Sequence, residues 1–511
     1  MQNKNKEVIR MELESVVSVQ KPKLIKKLTE LIEDSNQRFE FLKFCKGVEY
    51  TIRAWYHLQF EDLMQLYTIF NPLLADKKRQ HSPDEMKRQQ SLSPDEIKHL
   101  EQNFLTCLFE IIEKSNFKML TDKEYKEALS GQYLVNFPIL VDKQKLDSEL
   151  FQSYFSQHRN RYSNFPKYNE DKYIIFRRGI GEESTSDYFY MAKLDMIISR
   201  LWTWFLSVTG LKWILSKSLV RYKEKDSKKT DETTEDTKKE VKTIRVVKDL
   251  KKTDETNAEM EQEIERIPIQ NVKLSIPNLF GKITIKEPTF DRMIVVYRRK
   301  EEQGIYVQHF KNIPMADMEL VLPEKKNPSL TPMDWVQFLG SAVIGLAALG
   351  SSIEKPKADI WVFIALVMAL VGYCAKIYFT FQQNMATYQN LITQAMYEKQ
   401  LDSGKGTLLH LCDDVIQQEV KEVIIAFFIL MKKGKLSVKE LDKQCEDFIK
   451  REFKETCNFE VEDAVDKLEK LKIIVRDPQG KIAGVELKVA NEIIGLTTEE
   501  RVLKAKQDVA N

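Results

Sequence analysis

Residues 335–353 read WVQFLGSAVIGLAALGSSI, and none of them is charged. Residues 360–381 read IWVFIALVMALVGYCAKIYFTF, with Lys376 as their one charge. As helices rising about 1.5 Å per residue they extend roughly 28 and 33 Å, the thickness of a bilayer core. Residues 354–359, EKPKAD, join them and are too few for anything but a tight reversal. Read this way, 335–381 is a transmembrane helical hairpin. The chain is then an integral membrane protein with two spans and both termini on the same side.

Each apolar run carries a stripe of small residues. Ser341, Gly345, Ala348 and Ser352 share one face of the first, and Ala365, Ala369 and Gly372 share one face of the second. Small side chains let helix backbones approach closely where lipid supplies no hydrophobic drive. The stripes serve either packing of the two spans or self-association into a homo-oligomer. Trp335 and Tyr378 fall at one expected interface and Trp361 at the other, as an aromatic belt requires. A charge at depth can mark a transport path. Lys376 lies near its helix end, however, and its stem is long enough to carry the ammonium to the headgroups as an anchor.

The 511 residues are enough for about three folded units. Lys and Arg number 79 against 77 Asp and Glu, a net of +2. That balance points away from nucleic acid, whose binders carry a basic excess on one face. The six cysteines have no regular spacing, which suits a reducing compartment better than a disulfide framework. The first residues hold no apolar run of the secretory kind, and Glu7, Glu12 and Glu14 make a poor organellar presequence.

N-terminal to the hairpin, residues 15–130 read as a helical domain. Leu24, Ile25, Leu28, Leu31 and Ile32 recur at helical spacing, as do Phe41, Phe44, Cys45, Val48, Ile52 and Trp55. The tetrad SPDE occurs at Ser82–Glu85 and at Ser93–Glu96, the signature of a helix start. Either Ser-Pro is also a candidate phosphosite. Residues 131–222 and 267–330 read as one interrupted α+β domain. Tyr173–Phe176 is its first strand. Val272–Ile276, Lys282–Lys286, Arg292–Tyr297 and Ile305–His309 are further strands at period two. The charge-rich insert at 223–266, with KKTDET at 228–233 and again at 251–256, cannot bury enough apolar surface to order itself.

Within that domain, 196–222 is a basic aromatic helix. Arg200 and Lys212 stand among Trp202, Trp204, Phe205 and Trp213, the pattern of a helix lying on an anionic membrane surface. The alternative is an ordinary core helix. C-terminal to the hairpin, 413–490 has the order helix, helix, helix, hairpin of a winged-helix domain. Its third helix, Val461–Leu471, is acidic on balance, so protein contact or packing is favoured over DNA.

Three stretches resemble the transmembrane protein 143-like family: Glu14-Ser-Val-Val-Ser-Val-Gln-Lys-Pro-Lys-Leu24, Phe176-Arg-Arg-Gly179, and Phe310–Pro323 followed by the hairpin. This resemblance implies a two-span organellar membrane protein, mitochondrial by preference. It brings no catalytic residues with it.

Signals for chemistry are weak. Ser403–Thr407 (SGKGT) imitates a phosphate loop but lacks the leading glycine, since that position is Lys399. Gly179-Ile-Gly181 is a lone fragment, and His410-Leu-Cys412 is a pair without a second pair at ligand spacing. The reading is a mostly helical α+β multi-domain membrane protein with a winged-helix-like C-terminal domain and no catalytic, cofactor or metal site. Its expected role is a membrane-anchored scaffold or assembly protein, whose partners are the lipid bilayer and other proteins but not nucleic acid. The alternative is an oligomeric transporter or channel built from the hairpin.

Overall fold

The computed structural model describes residues 8–72, 93–129, 140–158, 172–187, 263–265, 283–326 and 360–496, with residues 197 and 500. Its main helices are α1 (Lys21–Glu30), α2 (Ser35–Phe70), α3 (Pro94–Lys114), α4 (Asp122–Ala128) and α5 (Glu149–Gln157). After the sheet come α6 (Ile360–Lys399), α7 (Lys405–Lys433), α8 (Val438–Phe453), α9 (Val461–Lys470) and α10 (Leu487–Ile494). The central sheet consists of β1 (Lys118–Met119), β2 (Tyr173–Asp187), β3 (Ile283–Arg298), β4 (Ile305–Pro314) and β5 (Gln400–Ser403). It is antiparallel throughout, and its spatial order is its chain order.

Alternation along the strands divides the apolar side chains between two cores. Ile174, Phe176, Ile294, Val296, Ile305 and Val307 enter the larger one, with α2, α3 and α7. Tyr173, Ile175, Met293, Val295, Tyr297 and Phe310 enter the smaller one, under α4 and the 3-10 turn Met315–Val321. Two strands expected separately, Lys282–Lys286 and Arg292–Tyr297, form the one strand β3. Pro288 does not break it, because the ladder to β4 begins only at Thr289. At Pro288 the strand has a neighbour on one side only, where a missing N–H is tolerated.

Helix α7 is the centre of the larger core. Val420 and every residue from Val423 to Leu430 are buried, so it is apolar all round, as a helix covered on all sides must be. Phe427 stacks on Phe44 of α2 at 4.3 Å between ring centroids, and Phe428 meets Phe41 edge-on at 5.6 Å. Gly434, at φ +79, ends the helix. Serine caps open two of the neighbours. Ser93 and Glu96 make a capping box at α3, and Ser437 and Glu440 make one at α8.

The C-terminal elements follow as α7, α8, α9 and a hairpin of β6 (Ile474–Arg476) and β7 (Ile482–Gly484). Leu436, between α7 and α8, bridges Ile482 and so acts as a third strand. α10 then folds back on α2, where Asn491 donates to the Glu40 carbonyl at 3.0 Å. The helices of 15–130 and those of 413–490 thereby share one core.

The membrane reading does not stand. Among the described residues no helix is long and apolar enough to cross a membrane. The expected second span is the first half of α6, a helix of 40 residues that continues through Gln382, Gln383 and Asn384 to Lys399. Nothing in that stretch is a helix breaker, so the helix does not stop at Phe381. The fold class of a membrane protein with a transmembrane hairpin is corrected accordingly, as are the two-span localisation and its mitochondrial preference. The run 335–353, the basic aromatic helix and the SPDE at Ser82–Glu85 lie outside the described residues, as do most side chains of 360–381. Of the charged insert, Glu263–Glu265 is a strand, paired with Val8–Arg10.

The packing around α7 predicts a graded response. Phe427→Ala removes a buried stacked ring and should cost about 3–5 kcal/mol in urea unfolding. Ser437→Ala removes a cap at an exposed helix start and should cost about 1 kcal/mol.

Candidate functional site

The densest polar arrangement lies where residues 12–19 cross between the sheet and α7. This strap precedes α1; it bridges β2 at Glu12 and bends at Ser15, Val16 and Val19. Glu12 pairs its backbone with Ile180 of β2, through bonds of 3.1 and 2.8 Å. Further along, the Val17 N–H donates to Gln418 Oε1 of α7 at 2.9 Å, and Lys421 of α7 donates to the Val17 carbonyl. Asn116 donates to the Ser15 carbonyl, and Ser18 donates to Glu455. Asn458 donates to Ser15 Oγ at 3.3 Å. Val17 and Val19 point into the larger core, 1% and 2% exposed.

The strap carboxylates face the two arginines of β2. Arg177 binds Glu12 at 2.6 Å and Glu124 of α4 at 2.5 Å, on the smaller-core side. Lys118 adds a contact to Glu12 at 2.5 Å. Burial alone would raise the Glu12 carboxyl, but Lys118 and Arg177 hold it below the usual carboxylate range. Arg178 points to the opposite face, as strand alternation demands. It lies 3.7 Å from Glu14 and 3.7 Å from Asp414 of α7, donates to the Ser115 carbonyl at 3.1 Å, and covers the Phe117 ring at 4.7 Å.

Asp291 of β3 completes the arrangement. A Cβ on Gly179 would come within 2.3 Å of its Oδ2 and 2.7 Å of Glu14 Cγ, and a Cβ on Gly181 within 2.6 Å of its Oδ1. The two glycines therefore make room for a carboxylate, and Gly179 also has φ +72. Burial, then the charge of Glu14, raises the Asp291 carboxyl to about 6, with Arg292 and Arg178 only partly opposing. Beside it, His309 of β4 is buried between Phe117 and His410, with ring centroids 5.8 and 5.4 Å away. Burial, His410, Arg292 and Arg178 push it down to about 3, so it is neutral. Neither of its ring nitrogens has a hydrogen-bond partner among the described residues.

A second polar cluster lies one turn along α7. Lys467 of α9 sits 3.5 Å from Glu419 and 3.8 Å from Glu422, and it also pairs with Asp463. The Tyr56 hydroxyl donates to Glu419 at 2.5 Å, and Gln418 donates to Glu422 at 2.6 Å. Burial raises Glu422 to about 8, although Lys467 opposes it. For Lys467, burial alone would lower the ammonium, but Glu422 and Glu419 outweigh it. An ammonium thus occupies the space between the carboxylates that a cation would otherwise take. Among the described residues no group of His, Cys, Asp and Glu is arranged to hold a metal.

With this geometry in view, the comparisons bear on one part of the chain. A family described as a protein of unknown function (DUF3754) matches residues 283–406. That span holds β3, β4, the 3-10 turn, α6 and β5, and with them Asp291, Arg292 and His309. The resemblance to the transmembrane protein 143-like family is not supported by this match and is withdrawn. No curated protein and no solved structure matches the chain.

The residues singled out in the sequence fall elsewhere. Ser341, Gly345, Ala348, Ser352, Trp335, Arg200, Trp202, Trp204, Phe205, Lys212 and Trp213 lie outside the described residues. Ala365, Ala369, Trp361 and Tyr378 belong to α6, but their side chains are not described. Gly372 and Lys376 are exposed on α6, and a Cβ on Gly372 would meet nothing within 4 Å. SGKGT serves structure. Gly404, at φ +57, opens α7 and donates to the Val307 carbonyl at 2.7 Å. The stretches Glu14–Leu24 and Phe176–Gly179, by contrast, meet at the strap. Sequence reasoning missed the receiving side. Its signal was Gln418, Glu419, Lys421 and Glu422 inside an otherwise apolar helix.

A pH dependence follows. The folded state holds the Asp291 proton more tightly than the unfolded chain does. The stability it contributes is complete below the ordinary aspartate value of about 3.9 and is lost as pH rises through about 6. Amide exchange of residues 12–19 should accelerate between pH 5 and 7 relative to Asp291→Asn, measured by mass spectrometry with the intrinsic pH effect removed. Equal acceleration in both proteins would refute the carboxylate pair as its cause.

Proposed function

We propose that this chain is a scaffold or assembly protein that acts through its folded parts by contact with other proteins. The observation that carries the reading is how its charged groups are used. Arg177, Arg178, Lys421 and Lys467 are buried or nearly so and engage acids or carbonyls of the chain itself, tying strap, sheet and α7 into one body. Apolar side chains, meanwhile, stand on the surface of α2. Phe39 is 69% exposed and Leu42 47%. Leu42 borders an open groove of about 390 Å³ between α1 and α2, lined also by Pro22, Ile25, Lys26, Glu30 and Arg38. Exposed large apolar groups beside a polar rim are a usual mark of protein contact.

The winged-helix order of α7–β7 supports the same reading over DNA contact. The third helix, α9, packs on α7, with Lys467 buried and Lys470 lying 4.2 Å over the Trp55 ring of α2. Lys467 is directed inward and Lys470, though exposed, lies over a ring of the chain itself, whereas a DNA-reading helix presents its cations to phosphate.

Proximity labelling tests the proposal. Phe39→Ser with Leu42→Ser should lower labelling of the direct protein neighbours by about tenfold at unchanged abundance, as loss of an apolar anchor does. An unchanged set of neighbours would count against this surface and against the reading built on it.

A further inference from the structure

The strap is held as a bound peptide is held. Its contacts go largely to backbone: Gln418 and Lys421 take the N–H and the carbonyl of Val17, Asn116 takes the carbonyl of Ser15, and Ile180 pairs with Glu12 as in a sheet. Main-chain hydrogen bonds with pockets for alternate side chains are how proteins recognise extended segments. Here the alternate side chains are Val17 and Val19, both buried. Ahead of them, two separate cationic positions read acids at alternate residues: Arg177 with Lys118 for Glu12, and Arg178 for Glu14.

We infer that the seam between β2, the segment Ser115–Lys118 and α7 is a peptide-binding cleft, which residues 12–19 occupy in cis. Its ligand class is a segment of a partner protein with the pattern acid-x-acid-x-x-Val-x-Val, taking the path that residues 12–19 take. The receiving groups are complete before any ligand arrives, because each of them lies on the sheet, on α7 or at the end of α3. Lys421 is buried and cationic, so an empty cleft would take away the Val17 carbonyl it donates to, while Arg178 would lose Glu14 and keep Asp414 and the Ser115 carbonyl. The cis segment therefore acts as a placeholder, and a partner segment of the same chemistry replaces it contact for contact. Asp291 presents a second carboxylate to the Glu14 position over Gly179, so it opposes an acid there whichever segment, cis or partner, supplies it.

The inference rests on the scaffold reading only in taking the ligand to be a protein segment. Binding by the purified chain is measured separately from cellular neighbours, so the two can fail independently. The probe is a fluorescein-labelled peptide RMELESVVSVQKP, the sequence of residues 10–22, followed by anisotropy. The receptor is the full chain carrying Glu12→Ser, Glu14→Ser, Val17→Ser and Val19→Ser, which empties the cleft and leaves its walls intact. It should bind the peptide at least about tenfold more tightly than the native chain does, because the native strap competes at high effective concentration. A peptide with serine in place of both valines should not bind. Adding Lys421→Met to the receptor should weaken binding by about tenfold. A folded receptor, by circular dichroism, that does not distinguish the two peptides overturns the inference. Should the receptor fail to fold, amide exchange in the native chain decides. Residues 12–19 should then exchange at least about tenfold faster than 420–430 of α7, showing that the strap opens alone. Equal rates through global unfolding would make the strap a fixed part of the core and end the proposal.

Discussion

Helix α7 has to be covered on every side, and the rest of the molecule is arranged by that need. A helix with one apolar stripe can face water. A helix with Val423 to Leu430 buried without interruption cannot. α2 covers one side through Phe44 and Phe41, α8 and α9 cover others, and α3 and the sheet close the remainder. The strap fills the last gap, with Val17 and Val19 entering the same core. The N-terminal residues are thereby tied to the C-terminal helices, although more than four hundred residues separate Val17 from Gln418.

Local structure was legible where a short pattern decides it. The SPDE at Ser93 and the strand beginning at Tyr173 each depend on a few neighbouring residues, and the structure places them as read. The apolar run at 360–381 misled because hydropathy records the absence of charge, and it does not record where a helix ends. Past Phe381 the composition turns polar, yet no proline or glycine follows until Gly404, so α6 continues. Strand β3 was read as two strands, and only the neighbouring strands show it continuous, with a partner on one side at Pro288.

The strap site was half legible. ESVVSVQKPKL and FRRG stood out as stretches, but nothing local shows that they touch. Their meeting is set by the register of β2 against β3 and by the orientation of α7. Gln418 and Lys421 were masked by the apolar residues around them. A polar side chain at such a position has few ways to be satisfied, and an extended backbone crossing the helix is one of them. Any polar or charged residue inside a run that is apolar all round carries the same requirement in the sequence itself.

The division of labour within the strap follows from the cost of burying charge. Arg178 and Lys421 lose hydration when covered, and their partners return roughly what is lost, so these pairs add little net stability. Burial of Val17 and Val19 supplies the favourable term. The charged contacts act on register instead. A slip of one residue would turn both valines toward solvent, because burial alternates from Val17 to Gln20. The same slip would place Ser15 where Glu14 meets Arg178 and a hydroxyl where a valine is buried, taking the strap's carboxylate from a buried guanidinium. The valines therefore hold the segment down, and Arg177, Arg178, Gln418 and Lys421 determine which residues are held.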